Sequence, residues 1–186
     1  MTDKITTVSV DPIGDYSLGD EAFGGIVYGS GIGPDGTYLL IASKYNEGDS
    51  DNVGSGRMVN YFHWCANAVG DGTLADSHTD GAYNTYRVFN HGGYSTSNSV
   101  FQWFTQHVQG LYGYNDWYIP ARDELDVLYQ NRGYLDRYAL PSYWSSTEYS
   151  SAHAHFQLFT SGNQYTRGKA SYTRLVRVVR REQISS

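Results

Sequence analysis

Two short apolar runs joined by a turn signal constrain the fold of this chain most strongly. The runs "GGIVYG" (24–29) and "TYLLIAS" (37–43) flank the segment "SGIGPDG". Aromatic and β-branched residues favour extended backbone, and Pro-Asp-Gly suits a tight turn. The stretch therefore predicts a β-hairpin, with antiparallel strands near the start of the chain.

Two helices are predicted in the middle of the chain. The segment "NSVFQWFTQHVQGL" (98–111) has Asn98 or Ser99 available as its N-cap. A second helix begins after Pro120, in "ARDELDVLYQNR", with acidic residues in its positive first turn. The apolar stripes that indicate these helices are Val100, Phe104, Val108 and Leu111 in the first, and Leu125, Leu128 and Tyr129 in the second.

The C-terminal third returns to strand patterns. In "AHAHFQLF" apolar and polar residues alternate, which is typical of a strand with one buried face. The predicted inward residues are Ala154, Phe156 and Leu158, and the predicted outward residues are His153, His155 and Gln157. The segment "SYTRLVRVVRR" (171–181) predicts a last β-run that carries several arginines.

The remaining segments define the domain. Residues 46–56 and 70–93 are dominated by small and polar residues and predict loops. No internal repeat or linker interrupts the pattern. We therefore expect one α+β domain over residues 23–182, preceded over residues 1–22 by an acidic arm or edge strand.

The net charge of −6 is unevenly distributed. Residues 1–80 hold twelve of the nineteen acidic residues, whereas the last twenty residues hold six of the thirteen basic ones. Overall acidity argues against a dedicated nucleic-acid binder. The basic C-terminal edge would still suit an acidic glycan or the carboxylates of a partner protein.

Cysteine and hydropathy patterns exclude further classes. Cys65 is the single cysteine, so the chain has no internal disulfide and no cysteine-rich zinc site, and a buried thiol is expected. No apolar run reaches membrane-spanning length, and "MTDKITTVSV" lacks the apolar core of a signal peptide. We expect neither membrane insertion nor a secretory leader in this sequence.

The stretch "YWSSTEYSSAHAHFQ" (143–157) carries residue types that hydrolases use. A serine nucleophile needs a base within hydrogen-bond reach and a positioned backbone. Ser145, Ser146, Glu148 and His153 are close in sequence, but no G-x-S-x-G motif is present and His153 is predicted to point away from the core. A serine hydrolase is therefore the least favoured interpretation.

A metal site is a second interpretation of the same stretch. His153 and His155 lie two residues apart on a predicted strand, so both imidazoles project from one face. One pair is too few ligands for a closed site, but three pairs on a trimer axis would supply six nitrogens. Asp49, Asp51 and Asn52 are calcium-type ligands without the EF-hand pattern, so a solvated acidic loop is the simpler interpretation there. No cofactor is expected, and a metal ion at the histidine pair stays open.

A contact surface is the third and favoured interpretation. The chain has 18 Tyr and 21 Gly, a composition typical of adaptable contact surfaces, although tyrosines at the rim of a small β-rich fold would give the same counts. Flat tyrosine faces suit sugar rings, and amides and imidazoles suit sugar hydroxyls. A polar surface without any ligand is the alternative. The predicted contact residues are Tyr149, His153, His155, Gln157, Asn163, Gln164, Tyr165 and Tyr172.

Five phrases occur in a specific order along the chain. They are "DWYIP", "DEL", "LYQNR", "YWSSTEY" and "VRVVRR". Their order and spacing resemble the Lcl C-terminal-like domain family over roughly residues 24–181. That family is similar to the C-type lectin-like fold of formylglycine-generating enzymes and retroelement-diversified phage proteins. The resemblance implies a C-type lectin-like fold of short twisted antiparallel strands with two helices and long loops.

The resemblance also implies a function. Members of the family occur in bacterial surface adhesins and in phage tail or fibre proteins, and they bind glycans or other receptors, often as trimers. We therefore expect a non-enzymatic attachment protein of a phage virion, which forms a homotrimer, contacts other virion proteins and binds a host cell-surface glycan or protein receptor. A secreted or cell-surface bacterial adhesin domain and a retroelement-diversified ligand-display protein are the alternatives.

The resemblance assigns structural roles to several residues. Trp117, Tyr118 and Trp144 are expected in the core, where the family keeps aromatic residues. Arg177 lies within the apolar run "LVRVV", and a buried arginine needs a partner, for which Glu124 is the candidate. The alternative is that Arg177 points outward from an edge strand.

The chain departs from the family pattern at two places. Ala121 stands where the family has Ser or Thr at the start of the second helix, so that side-chain cap is lost at about 1 kcal/mol unless another group replaces it. The segment 70–110 is longer than the family pattern, so specificity built there cannot be carried over from the family.

Overall fold

The protein combines helices with antiparallel sheets, which confirms the predicted α+β class. The computed structural model describes residues 15–33, 36–44, 61–65, 72–92, 98–135 and 142–184. In these ranges the strands are β1 (Glu21–Ala22), β2 (Gly25–Gly33), β3 (Gly36–Ala42), β4 (Phe62–His63), β5 (Ser142–Glu148), β6 (His153–Leu158), β7 (Gln164–Gly168), β8 (Thr173–Arg174) and β9 (Val179–Gln183). The helices are α1 (Gly81–His91), α2 (Val100–His107) and α3 (Arg122–Gln130).

The predicted hairpin is the centre of a four-stranded antiparallel sheet with the order β1-β2-β3-β9. β1 lies at its edge, and residues 1–14 of the predicted N-terminal arm or edge strand (1–22) lie outside the described ranges. Strands β5, β6 and β7 form a second, three-stranded antiparallel sheet, and β4 pairs with β8. The predicted last β-run is therefore divided between β8 and β9, which belong to different sheets.

The four-stranded sheet is buried on both faces, which explains why "TYLLIAS" shows no polar alternation. Leu39 and Ile41 pack into one core cluster, together with Trp64, Trp144 and neighbouring residues. Leu40 packs into the second cluster, on the face covered by α3. The three aromatic residues predicted for the core, Trp117, Tyr118 and Trp144, are all buried.

Helix α1 contradicts the prediction of a loop over residues 70–93. Asp80 caps the helix, since its Oδ1 accepts a hydrogen bond from the Tyr83 amide at 2.9 Å. Gly92 ends the helix with a φ of 75°, the left-handed conformation that glycine adopts most readily. The buried residues of the helix are Gly81, Asn84, Thr85 and Val88. Because this face is small and polar, it carries no apolar stripe.

The two predicted helices are confirmed, with adjustments. Ser99 is the N-cap of α2, and its hydroxyl accepts a hydrogen bond from the Gln102 amide at 3.1 Å. The predicted stripe of α2 is only partly right, because Phe101 and Trp103 are buried whereas Phe104 is half-buried. In α3, Leu125 and Leu128 are buried as predicted.

The start of α3 replaces its missing cap with groups from other elements. Ala121 has no side-chain oxygen, but Thr147 of β5 accepts a hydrogen bond from the Arg122 amide at 2.9 Å. The His78 carbonyl accepts one from the Asp123 amide at 2.9 Å. The threonine hydroxyl also donates to the Ser77 carbonyl. Strand β5 therefore caps the helix from outside, as the departure at Ala121 requires.

The substitution Thr147→Val is expected to lower the free energy of unfolding by about 1–3 kcal/mol, because it removes the acceptor for the Arg122 amide and the donor to Ser77 while keeping the side-chain shape. Chemical denaturation followed by circular dichroism measures the change. Thr166→Val, on the half-buried middle of β7, is the control. Equal stability of Thr147→Val and the parent protein would contradict the external cap.

The predicted ion pair between Arg177 and Glu124 is wrong. Arg177 is buried, which also overturns the outward alternative, and its Nε donates to the Ser43 carbonyl at 2.9 Å. Its Nη2 reaches the Lys44 carbonyl at 3.0 Å. Glu124 contacts Arg181 of β9 instead, with Nη2 and Oε1 separated by 2.9 Å. The two arginines stand four residues apart, so the sequence alone does not decide which one reaches the helix.

Glu124 joins the starts of two helices to the sheet. Its fully buried carboxylate accepts hydrogen bonds from the amides of Gly81 and Ala121, from the Tyr118 hydroxyl and from Arg181. Burial raises the pKa of the Glu124 carboxyl, and Arg181 and the hydrogen bond from Tyr118 act in the opposite direction. This carboxylate is the point where α1, α3 and β9 meet.

None of the helices in the described ranges has both the length and the apolar character needed to span a membrane.

Candidate functional site

The predicted contact residues lie on two opposite faces of the three-stranded sheet. In the register of β6 and β7, His155 is opposite Thr166, and Phe156 is opposite Tyr165. Neighbouring residues on a strand point to opposite sides, so the imidazole of His155 and the ring of Tyr165 cannot share a surface. We call the side of His155 the histidine face and the side of Tyr165 the arginine–tyrosine face.

The histidine face is a small cluster of rings beside the start of α3. The His155 ring lies 5.7 Å from the His78 ring and 5.6 Å from the Tyr149 ring, measured between centroids. His153 is exposed at the end of the same strand, where its amide donates to the Ser150 hydroxyl. His78 is not among the predicted contact residues, because it comes from the segment that the sequence predicts as a loop.

His155 is held neutral over most of the pH range. Burial, together with the nearby charge of Arg122 and the neighbouring His78, lowers the pKa of its imidazole from 6.5 to about 4. At neutral pH the ring therefore carries one N–H donor and one acceptor nitrogen. Such a ring can exchange hydrogen bonds with a hydroxyl group, or act as a metal ligand without losing a proton.

The pKa of His155 predicts a loss of stability in mild acid. Between pH 6.5 and about 4 the unfolded chain binds a proton on this side chain and the folded chain does not, so folding weakens as pH falls through that window. An NMR titration should place the His155 midpoint near 4, and His155→Gln should show a smaller loss of stability over the same window. A midpoint near 6.5 would contradict this environment.

Two predicted contact residues on the histidine face are occupied by internal hydrogen bonds. Gln157 is fully buried, so its predicted outward position is wrong. Its amide donates to Asp126 of α3 at 2.6 Å, because that helix covers this end of the strand. Gln164 exchanges hydrogen bonds with Arg122, accepting from its Nε at 2.7 Å and donating to its carbonyl. Three other predicted contact residues, Tyr149, His153 and Asn163, are exposed, and His155 is half-buried.

The arginine–tyrosine face carries exposed aromatic rings beside two arginines that no carboxylate of the described residues contacts. Tyr165 and Tyr172 are 43% and 48% exposed. The guanidinium of Arg174 stacks on the Phe156 ring at 4.0 Å from its centroid, and the guanidiniums of Arg167 and Arg174 each lie 5.9 Å from the centre of the Tyr172 ring. We call these five residues the arginine–tyrosine patch. Both arginines are absent from the predicted contact set, although the basic C-terminal edge was a signal for them.

The serines of "YWSSTEY" do not meet a histidine ring. Ser145 and Ser146 are buried in β5, and the Ser145 hydroxyl donates to the main-chain carbonyl of His155 at 3.1 Å. Glu148 is bound to Lys169 and accepts hydrogen bonds from the amides of Thr73 and Leu74. The described contacts of these residues are structural, and they do not assemble a nucleophile with a base.

Metal ligands are similarly dispersed. Within the described ranges, no three His, Cys, Asp or Glu side chains are placed to hold one ion. The two histidines of β6 have different surroundings, since His153 is exposed and His155 is half-buried against His78. Cys65 is buried, as predicted. Asp49, Asp51 and Asn52 lie outside the described residues.

The arginine–tyrosine patch and the histidine face thus stand as the two candidate contact surfaces of the protein. The resemblance to the Lcl C-terminal-like family stays a prediction from the five phrases. No known protein family model matches the chain, and no curated protein matches it.

Proposed function

We propose that this protein is a non-enzymatic attachment protein that binds a carbohydrate receptor through the arginine–tyrosine patch. The observation that carries the proposal is the patch itself, in which exposed tyrosine rings stand beside two guanidiniums whose hydrogen bonds within the described ranges reach only the carbonyls of Thr166 and Thr173. Aromatic faces stack on sugar rings, and guanidinium N–H groups donate to sugar oxygens.

The finer parts of the proposal rest on the resemblance. A C-type lectin-like fold, a homotrimer and a place on a phage tail or fibre, in contact with other virion proteins, are what the phrases from "DWYIP" to "VRVVRR" imply. The mixed α+β architecture and its short antiparallel strands are compatible with that fold. A host cell-surface glycan is the receptor class that the patch favours over a flat protein surface.

A glycan array read with parent and variant proteins tests the proposal. Tyr172→Ala is expected to weaken binding about tenfold or more, because it removes an exposed ring that lies near both guanidiniums. Tyr134→Ala is the matched control, since Tyr134 is also 48% exposed but lies in a short turn after α3. Absence of binding to every glycan, or equal losses in both variants, would overturn the assignment of this surface.

A further inference from the structure

Among the described residues, no carboxylate contacts Arg167 or Arg174, the two remaining bases of the C-terminal edge. The last twenty residues hold six bases. Four of them contact groups within the protein. Lys169 forms an ion pair with Glu148, Arg180 with Asp116 and Glu182, and Arg181 with Glu124. Arg177 donates hydrogen bonds to main-chain carbonyls. In the described part of the chain, Arg167 and Arg174 donate only to the carbonyls of their preceding residues, Thr166 and Thr173.

These two guanidiniums lie at the same distance from one aromatic ring. Each is 5.9 Å from the centre of Tyr172, although they come from different strands, β7 and β8. Burial and the nearby charge of Arg167 lower the pKa of Arg174 from its ordinary value. The pairing of like charges is unfavourable in the free protein, and an anion between them would relieve it.

Arg174 also has a hydrogen-bond donor that no acceptor of the described residues meets. Its Nε is buried and has no hydrogen-bond partner among the described residues. Its Nη1 is used by the Thr173 carbonyl at 3.2 Å. A buried donor without an acceptor is disfavoured, so an acceptor that reaches this guanidinium gains a bond that the free protein lacks.

The shape of the patch favours a planar anion. Phe156 covers one face of the Arg174 guanidinium at 4.0 Å, so a ligand meets this arginine through the edge of its plane. A carboxylate is flat and forms two parallel hydrogen bonds with the edge of a guanidinium, whereas a sulfate or phosphate places oxygens out of that plane. The exposed ring of Tyr172, and that of Tyr165 next to Phe156, then lie where a sugar attached to the carboxylate would stack.

We infer that the arginine–tyrosine patch binds a sugar that carries a carboxylate, with Arg174 and Arg167 on the carboxylate and Tyr172 and Tyr165 on the sugar ring. This inference rests on the proposed function and names the chemical class of its receptor. It makes the two arginines specificity-determining residues, and it makes binding sensitive to salt, because the charges at this surface are screened by added ions.

Matched pairs of polysaccharides test the inference. Polygalacturonate, hyaluronan and polysialic acid are each compared with the form whose carboxyl groups have been reduced to alcohols, by biolayer interferometry at low and physiological salt. We expect at least one acid form to bind, its reduced form to bind about tenfold or more weakly, and Arg174→Gln and Arg167→Gln each to lose a similar factor. Arg132→Gln is the control, because Arg132 also stacks on a tyrosine ring, Tyr129, at 4.0 Å.

Each outcome has a distinct meaning. Equal binding of an acid and its reduced form overturns the carboxylate inference and leaves the proposed function standing, as does binding of neutral glycans alone on the array. Stronger binding to a sulfated glycan than to every carboxylated one also overturns it. No binding to any carbohydrate overturns both. Arg167 is exposed, so Arg167→Gln should keep the parent melting temperature and report on binding even if Arg174→Gln unfolds.

Discussion

Replacing Glu124 with glutamine is expected to lower the free energy of unfolding by about 3–5 kcal/mol, the cost of breaking a buried ion pair from one side. The carboxylate is fully buried, and both of its oxygens accept hydrogen bonds. Oε2 accepts from the Gly81 and Ala121 amides at 3.0 and 2.8 Å, and Oε1 accepts from Tyr118 and Arg181. A glutamine has one acceptor oxygen, so its NH2 group must face two of these donors in either orientation.

The neighbouring acid provides the control for this prediction. Asp123 lies in the same first turn of α3, but it is half-buried and its Oδ1 is 3.5 Å from Arg122. Asp123→Asn is expected to change the free energy of unfolding by no more than about 0.5 kcal/mol. Urea denaturation followed by circular dichroism compares the two variants. Similar stabilities for Glu124→Gln and Asp123→Asn would show that the buried carboxylate does not hold the two helix starts.

Local sequence patterns were sufficient to predict the hairpin and α3. The hairpin depends on a turn and two β-type runs that are adjacent in sequence, and α3 depends on an apolar stripe with spacings of three and four residues after Pro120. The hairpin signal is complete within residues 24–43 and the helix signal within residues 121–132. The β-strand alternation around Ala154 and Phe156 was readable for the same reason, and both residues are buried.

Helix α1 was missed because its inner face is stabilised by distant polar contacts. Asn84 donates to the Ser77 carbonyl at 2.7 Å, and the Thr85 hydroxyl accepts from the Ile119 amide at 3.1 Å, across 34 residues. Hydropathy periodicity does not register such a face. The cap signals of Asp80 and Gly92 were present in the sequence, and capping chemistry would have found the helix.

Sequence patterns also predict only part of the candidate site. Alternation correctly indicates that His155 and Gln157 share one face of β6, but it does not indicate that α3 covers Gln157 and brings Asp126 to its amide. The charges of the C-terminal edge are visible in sequence, but Glu148, Asp116 and Glu124 lie 21, 64 and 57 residues from their partners Lys169, Arg180 and Arg181. Only the fold separates the arginines that pair with carboxylates or main-chain carbonyls of other elements from Arg167 and Arg174, which belong to the arginine–tyrosine patch.

The substitution Lys169→Met is the second change for which we expect a loss of about 3–5 kcal/mol in the free energy of unfolding. Lys169 is fully buried between the carboxylate of Glu148 and the ring of Trp64, whose centroid is 4.5 Å from Nζ. Methionine is unbranched and only one atom shorter than lysine, but it leaves the Glu148 carboxylate without its cation. The amides of Thr73 and Leu74, at 2.8 and 3.0 Å, are then the remaining main-chain donors to that carboxylate.

A double substitution separates the lost charge from lost packing. Glu148→Gln added to Lys169→Met removes the unpaired charge, and the glutamine oxygen still accepts from Thr73 and Leu74, so most of the stability should return. Lys44→Met is the control, because its ion pair with Glu21 is at the surface and should contribute no more than about 1 kcal/mol. Chemical denaturation of the parent protein, Lys169→Met, Glu148→Gln and the double variant gives the coupling energy between the two side chains. If the double variant is as unstable as the sum of its single changes, the two side chains are not coupled and the cost of Lys169→Met comes from packing beside Trp64.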